Sequence, residues 1–341
     1  MKKFKNFKLK LIIIVVLALF CQNFMMAQTN TGTTIGQFLL IEPSARLTGM
    51  GNVGAAMFDE ITSIYFNPAS SGLFRNSGAI FSHANWFAGI SYDYSVIAIK
   101  TKKIGTFFLS FTYLNSGEID VRTVEKPLGT GEKYGVTNFA LGIGYGFKIT
   151  DKFSTGFQIN YIQETIWHSS LWALALNIGI IYELGNNFFL GASISNFGTR
   201  GKYEGWDLRV RYDPDPRKYG DNSSLPAELF TEKFSLPLLF RIGLSYQIDI
   251  SSSIVTKFSI EAHHPSDNTE SLSFGGEIKF FDVFSARAGY QKLFQKDSEV
   301  GLTAGGGLQY PVAKYVFKFD YAWADHNRLG AIQKFSIGIE F

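Results

Sequence analysis

The residues of this 341-residue chain best suited to chemistry are five histidines, one cysteine and a glycine triplet. His83, His168, His263, His264 and His326 are scattered, and only His263 and His264 are neighbours. On an extended backbone adjacent side chains point to opposite faces, so this pair cannot hold one metal ion together. His168 precedes Ser169 and Ser170, the ingredients of a hydrolase, yet no acid at a suitable spacing completes a triad. Gly305-Gly306-Gly307 is no phosphate cradle, because no helix follows to offer its N-terminus. Inside a strand such glycines relieve crowding. Cys21, the only thiol, follows Phe20 where a lipoprotein signal carries a small residue, which argues against lipid attachment. The reading is of a protein with no catalytic residues, no metal and no cofactor, and so of a binding or transport protein.

The elements that carry these residues are of an unusual kind. Aromatics make up 16% of the chain and charged residues only 18%, below the roughly 25% charged of ordinary soluble domains. Beyond the N-terminus no stretch approaches the ~20 consecutive apolar residues of a membrane-spanning helix. The net charge of +3 does not indicate nucleic acid, because Lys2, Lys3, Lys5, Lys8 and Lys10 crowd the first ten residues. They precede the apolar run Leu11 to Phe20 and the small Ala27, the pattern of an export signal over residues 1–27. Cleavage after Ala27 removes five lysines and no acid, taking the charge from +3 to −2. It also removes Cys21, which closes disulfide and thiolate chemistry to the mature chain.

From residue 78 onward the hydrophobic pattern has period two. Phe139, Leu141, Ile143, Tyr145 and Phe147 alternate with Ala140, Gly142, Gly144, Gly146 and Lys148. Tyr315, Phe317, Phe319, Tyr321 and Trp323 face away from Lys318, Asp320 and Ala322, and Leu272, Phe274, Ile278 and Phe280 from Ser273, Gly275, Glu277 and Lys279. Fourteen such segments begin near residues 78, 90, 104, 137, 153, 170, 187, 237, 254, 270, 283, 298, 313 and 331. Short connections such as Thr150-Asp151-Lys152, Gly185-Asn186-Asn187, Phe281-Asp282 and Pro311-Val312 alternate with ones that include the long stretches 114–136 and 197–236. An even strand count, short turns on one side and long loops on the other describe a transmembrane antiparallel β-barrel. The segments approach the ~9 to 11 residues of a tilted span, longer than the strands of soluble sandwiches. Aromatics cluster near the strand ends. The terminal Phe341 of Phe335-Ser336-Ile337-Gly338-Ile339-Glu340-Phe341 looks like the signal read by the outer-membrane assembly machinery. The expected fold is all-β: about fourteen strands over residues 78–341, in the outer membrane and against its lipid.

Residues 28–77 do not alternate and are too polar to span. They read Ser44-Ala45-Arg46, Gly49, Gly51, the acidic Asp59, and Asn67-Pro68-Ala69 ahead of the first strand. In order and spacing this stretch resembles the N-terminal hatch of FadL-type barrels, and within them it is most similar to the PorV/PorQ family. The resemblance implies a hatch inside the lumen and a role in type IX secretion, with a translocon and the C-terminal domains of cargo proteins as partners. The loop 197–236 combines Tyr203, Trp206, Arg209, Arg211, Tyr212 and Arg217, residue types enriched where proteins grip partners, and is the expected contact loop. The alternative is a FadL-like transporter of hydrophobic small molecules. Inward-facing positions such as Gln158, Asn160, Thr303 and Gln309 are polar or small and favour the secretion reading, although Leu39, Leu40, Ile41, Leu47, Met50, Met57 and Phe58 of the hatch could supply a greasy patch.

Overall fold

Hydrocarbon offers no hydrogen-bond partners, so a sheet that crosses a bilayer must leave no open edge. The computed structural model describes residues 32–220, 222 and 224–341; the export signal expected over residues 1–27 lies outside the described residues. Fourteen long strands follow one another: β1 (Gly78–Asn85), β2 (Ser91–Thr101), β3 (Gly105–Asn115), β4 (Val136–Thr150), β5 (Phe153–Ile166), β6 (Ser169–Gly185), β7 (Phe188–Gly198), β8 (Leu239–Ser251), β9 (Ile254–Pro265), β10 (Ser271–Phe280), β11 (Phe284–Leu293), β12 (Leu302–Val312), β13 (Tyr315–Asp325) and β14 (Ala331–Glu340). Each pairs antiparallel with its neighbours, and β14 returns to β1 in register from Gly78↔Glu340 to Asn85↔Gln333. Phe341 completes the seam: its N–H donates to Ser77 O at 2.8 Å and its oxygen accepts from Ser77 N at 3.1 Å. The all-β expectation of a closed fourteen-stranded barrel is met. No helix among the described residues is long and apolar enough to cross a membrane.

Strand positions follow the alternation closely, with two differences. β12 starts at Leu302, not near 298, because Phe294 and Asp297 take positive φ and keep the chain in a loop. Pro311 and Val312 are strand residues, and the turn lies at Ala313-Lys314 with Ala313 at φ 54°. A proline so close to a strand end removes only one donor from the ladder.

The two faces separate as the period requires. Ile143 is 63% exposed, Ile159 54% and Ile337 60%, a greasy outer surface that only lipid can cover. Toward the rim of short turns, outward rings touch in Phe107/Tyr145, Phe153/Tyr182 and Phe188/Tyr246. Toward the other rim they touch in Phe139/Tyr161 and Phe274/Tyr290. These are the girdles of a transmembrane barrel.

Inside lies the segment before β1. It forms a 3-10 turn at Gln37–Leu40, helix α1 (Ala45–Gly49), helix α2 (Ser63–Phe66) and a 3-10 turn at Pro68–Leu73. Leu47, Met50, Val53, Met57 and Phe66 make its own small apolar core. The barrel therefore encloses a folded plug and is not an open pore.

An arginine on the lipid face at mid-height should cost about 2–4 kcal/mol. Ile143→Arg, at the centre of β4, is expected to lose that much in denaturant unfolding from bilayers, while Val124→Arg on the exposed loop should change stability by less than about 0.5 kcal/mol.

Candidate functional site: the hatch and the vestibule above it

The hatch is seated where the inner wall lacks side chains. A methyl group at Gly191 of β7 would lie 1.9 Å from Ala55 O, one at Gly275 of β10 would lie 2.0 Å from Met50 O, and one at Gly156 of β5 would lie 2.4 Å from Pro68 O. Gly49 lies against Gly305 of β12, the first glycine of the triplet, at 3.0 Å by the same measure. Gly51, at φ +75°, donates its N–H to Thr303 Oγ1 at 3.0 Å. The glycines of the resemblance and those of the wall meet as two halves of one contact.

The other motif residues fasten the hatch. Ser44 caps α1 by accepting from Leu47 N at 3.1 Å and donates to Glu60 Oε1 at 2.9 Å. Ala45 N donates to Ser336 Oγ of β14 at 3.2 Å. Asn67 Nδ2 donates to Ala55 O at 2.7 Å and to Ile180 O of β6 at 2.9 Å, while its Oδ1 accepts from Ala69 N at 3.0 Å. Pro68 starts the following 3-10 turn, where a missing N–H is harmless, and Ala69 O accepts from Ser154 Oγ of β5 at 2.7 Å.

Arg46 is the centre of the electrostatics. Its Nε and Nη2 fork onto Glu277 of β10 at 2.8 and 2.7 Å, and Nη2 also reaches Asp59 Oδ2 at 2.7 Å. Glu277 then accepts from Arg287 Nε of β11 at 2.6 Å, and Arg287 Nη1 donates to Asp320 of β13 at 2.6 Å. Lys257 of β9 closes on Asp59 from the other side. Burial raises the Asp59 carboxyl, but Arg46 and Lys257 outweigh it and hold the group well below its ordinary value. Burial pushes neighbouring Glu60 up, and the pull of Arg46 does not undo it. A second buried knot joins Arg241 of β8 to Glu261 Oε1 at 3.5 Å and Glu42 Oε1 at 3.9 Å, with its guanidinium over the rings of Tyr65 and Phe66. Glu277 and Asp320 are visible as charges on the inward phase of the alternation; Arg241, Arg287 and Glu261 are missed, although the same signal, a charge at an inward position, marks them.

Above the hatch, toward the long-loop rim, is a cavity of about 570 Å3. Leu40, Ile41, Trp86, Phe87, Leu239 and Leu329 supply its apolar lining. Polar groups converge among them. His326 packs edge-on to Phe87 and Trp86 at 5.2 and 5.7 Å. Lys334 Nζ binds Glu42 O and, at 3.2 Å, Thr48 Oγ1, and lies 5.9 Å from the Trp86 ring. Gln291 Nε2 has no partner, and His263 Nε2 lies 3.0 Å from Glu261 Oε1 without the alignment of a hydrogen bond. The chamber is mixed, its apolar side chains standing among polar and charged ones that include Glu42, Asp267, Lys292 and Glu299, and its size suits a small molecule. The greasy patch expected of the hatch is present in part: Leu40 and Ile41 face the vestibule, whereas Leu47, Met50 and Met57 are spent on the hatch core and Phe58 packs on Phe189.

The remaining expected residues are dispersed. His263 is buried in the lumen and the side chain of His264 is exposed, as opposite faces require. His168 Nδ1 lies 3.0 Å from Asp207. In the loop, Arg209 stacks on Trp206 at 5.5 Å, Arg211 binds Ser224 Oγ at 2.7 Å, Tyr212 is exposed and Arg217 N donates to Asp215. Tyr203 differs from these: its hydroxyl donates to Glu164 Oε2 of β5 at 3.0 Å, so it ties the loop to the wall.

Fold and plug together define a closed fourteen-stranded transmembrane β-barrel with a lumenal hatch. No protein-family model matches the chain, and no curated protein matches it in sequence. Among solved structures it is similar to the Pseudomonas putida toluene transporter TodX, at 11% identity and a TM-score of 0.56 over 92% of this chain and 99% of that one. The Ralstonia pickettii toluene transporter TbuX matches at 10% identity and 0.54 over 88% and 98%. A Pseudomonas aeruginosa FadL homologue matches at 10% and 0.53 over 88% and 98%. These likenesses carry the fold alone, and none bears on the PorV/PorQ resemblance.

Stripping one partner from a buried ion pair costs about 3–5 kcal/mol. Arg46→Ala is therefore expected to loosen the hatch, read as faster proteolysis of residues 32–77 and as new conductance in planar bilayers. Gly275→Leu should give the same two signals by displacing Met50.

Proposed function

We propose that the protein is an outer-membrane transporter of hydrophobic small molecules. The observation that carries this reading is the vestibule: a chamber toward the long-loop rim, closed below by a hatch, in which Leu40 and Ile41 of the hatch join Trp86, Phe87, Leu239 and Leu329 as apolar lining. The similar solved structures are described as transporters of toluene, which supports the same reading. Cargo handling in type IX secretion has as its basis the hatch motif, with the polar inward-facing positions as secondary support. The motif residues hold the plug in place, a task common to any hatch-closed barrel, so the motif does not favour secretion over transport.

A protein partner at the cell surface is the second reading. Its support is local: Trp206 and Tyr212 stand exposed beside Arg209 and Arg211 on the longest loop, a composition suited to gripping a protein such as a translocon component or a cargo C-terminal domain. Phe341, half exposed at the short-turn rim, is the proposed contact for the barrel-assembly machinery.

Cells lacking the protein are expected to lose uptake of a radiolabelled monoaromatic hydrocarbon. Leu239→Asp, which places an unpaired carboxylate in the apolar lining at a cost of several kcal/mol to a hydrocarbon ligand, should fail to restore it. If deletion leaves hydrocarbon uptake intact and abolishes surface display of cargo, the transport reading is wrong.

A further inference from the structure

The long-loop rim carries a second cavity, separate from the vestibule and about 670 Å3 in volume. It is lined by a short ribbon formed by Ile119–Asp120 and Lys133–Tyr134, by the tip of the β5–β6 hairpin and by the start of the longest loop. Asp120, Arg122, Tyr134, Trp167, Tyr203 and Asp207 line it. Trp167 shares the apolar lining with Ile119, Val121 and Ile166 and is held from several directions. Its N–H donates to Gly135 O at 3.3 Å, its ring lies 5.9 Å from that of Tyr134, and it stacks on His168 at 4.5 Å. His168 is in turn fixed by Asp207 at 3.0 Å.

Trp167 also has φ 51°. The left-handed region is a rare place for a bulky side chain, costs on the order of 1–2 kcal/mol, and persists where the surroundings impose it. Despite these restraints the side chain stays 37% exposed. The β5–β6 turn is two residues long and such turns call for positive φ, so the turn accounts for the conformation and leaves the indole partly open to the cleft.

The polar groups decide what the cleft can accept. A hydrocarbon would cover Asp120, Arg122 and Asp207 without replacing their water, a penalty no apolar contact of this size offsets. A cationic ligand meets Arg122, and an anionic one meets two carboxylates. Carboxylates only accept hydrogen bonds and a guanidinium only donates, whereas a hydroxyl does both. Arg122 Nη2 lies 3.9 Å from Asp120 Oδ2, near enough for neighbouring hydroxyls of one ligand to serve the two together. A pyranose ring combines such hydroxyls with an apolar C–H face that lies flat on an aromatic ring.

We propose that this cleft binds a neutral saccharide at the cell surface, its C–H face on Trp167 and Tyr134 and its hydroxyls on Asp120 and Arg122. The site is distinct from the vestibule and does not depend on the transport reading. The saccharide has two sources, the polysaccharide of the cell's own surface or a glycan from its surroundings, and their chemistry is the same at this site.

The test uses the full purified chain in detergent, titrated with cellohexaose, with maltohexaose and with polysaccharide stripped from the producing cell, followed by calorimetry and tryptophan fluorescence. Saturable binding of at least one is expected, weakened about tenfold or more by Trp167→Ala and by Asp120→Asn. Heat-modifiable migration and hydrocarbon uptake of both variants should match the unsubstituted protein, which shows that the barrel is folded. Binding of the stripped polysaccharide alone supports the site and assigns it to the cell's own coat; binding of the oligosaccharides alone supports it and assigns it to capture. No binding of any of the three at millimolar concentration, or binding that both folded variants retain undiminished, overturns the proposal. Loss of hydrocarbon uptake in the unsubstituted protein with saccharide binding intact would fault the transport reading alone.

Discussion

The lumen accepts a folded plug because the wall is missing Cβ atoms along the path the plug's backbone takes. Gly156, Gly191, Gly275 and Gly305 belong to four different strands, and at each the hatch main chain or its immediate neighbour occupies the space a methyl would need. Glycine is otherwise a poor strand residue, costing backbone entropy and giving nothing to pack. Its repeated use on the inward phase, while Phe, Ile and Tyr fill the outward phase, makes sense only if something rigid lies inside. The plug and the wall therefore specify one another: without the hatch the inner surface is a set of unfilled gaps, and without the gaps the hatch has nowhere to sit.

Charge then selects one seating among those that shape permits. The chain Asp59, Arg46, Glu277, Arg287, Asp320 runs from the hatch through β10 and β11 to β13. Burying such groups is expensive, and a buried ion pair is weak evidence for stability when set against an apolar alternative. Its effect is on registry: a hatch displaced by one residue would part Arg46 from Glu277 and Asp59 from Lys257 in a site almost closed to solvent, a penalty of several kcal/mol. Asn67 performs the same task with neutral groups at the other end of the plug, where one side chain bonds both the hatch and β6.

How much of this was legible in the chain differs by kind of interaction. Period-two alternation is local, and it located every strand because the lipid face enforces it residue by residue. The end of β12 escaped because Ala313 turns at a positive φ that no glycine or asparagine announces. Ser44, Arg46, Gly49, Gly51, Asp59 and Asn67 could be singled out by resemblance, but what they touch could not: Arg46 and Glu277 are 231 positions apart. The vestibule was hidden for the same reason, since Leu40, Trp86, Leu239 and Leu329 come from four separate segments and meet only after closure. Tyr203 was read with the free loop aromatics because nothing in its neighbourhood shows that its hydroxyl reaches Glu164. Trp167 gave no signal at all, its interest lying in a backbone conformation and a cavity that exist only in three dimensions.

The transport proposed for this molecule must respect those interactions. A hydrocarbon of seven to ten heavy atoms gains at most about 1.5 kcal/mol per atom even in the most efficient complexes, and it shifts a conformational equilibrium only by the difference in its affinity for the two states. Expelling the whole hatch would part Arg46 from Glu277 and Lys257 from Asp59 and empty the glycine contacts at once, and each buried charge left alone costs about 3–5 kcal/mol. That cost is of the same order as the most a ligand of this size gains, so expelling the whole hatch would leave little net affinity. The segment ahead of α1 is tied at both levels: near the rim Ile35 N donates to Ser235 O at 3.1 Å and Thr34 and Gln37 reach Asp267, and deeper Gly36 N donates to Glu164 Oε1 at 3.0 Å. Leu40 and Ile41, the hatch residues that line the vestibule, lie on that segment. A solute that displaces them works against buried contacts as well, the Tyr65 hydroxyl on Leu39 O at 2.6 Å, the Tyr92 hydroxyl on Ile41 O at 2.7 Å and the Arg241–Glu42 pair, so the route proposed for a solute requires these to part together with the hydrogen bonds near the rim.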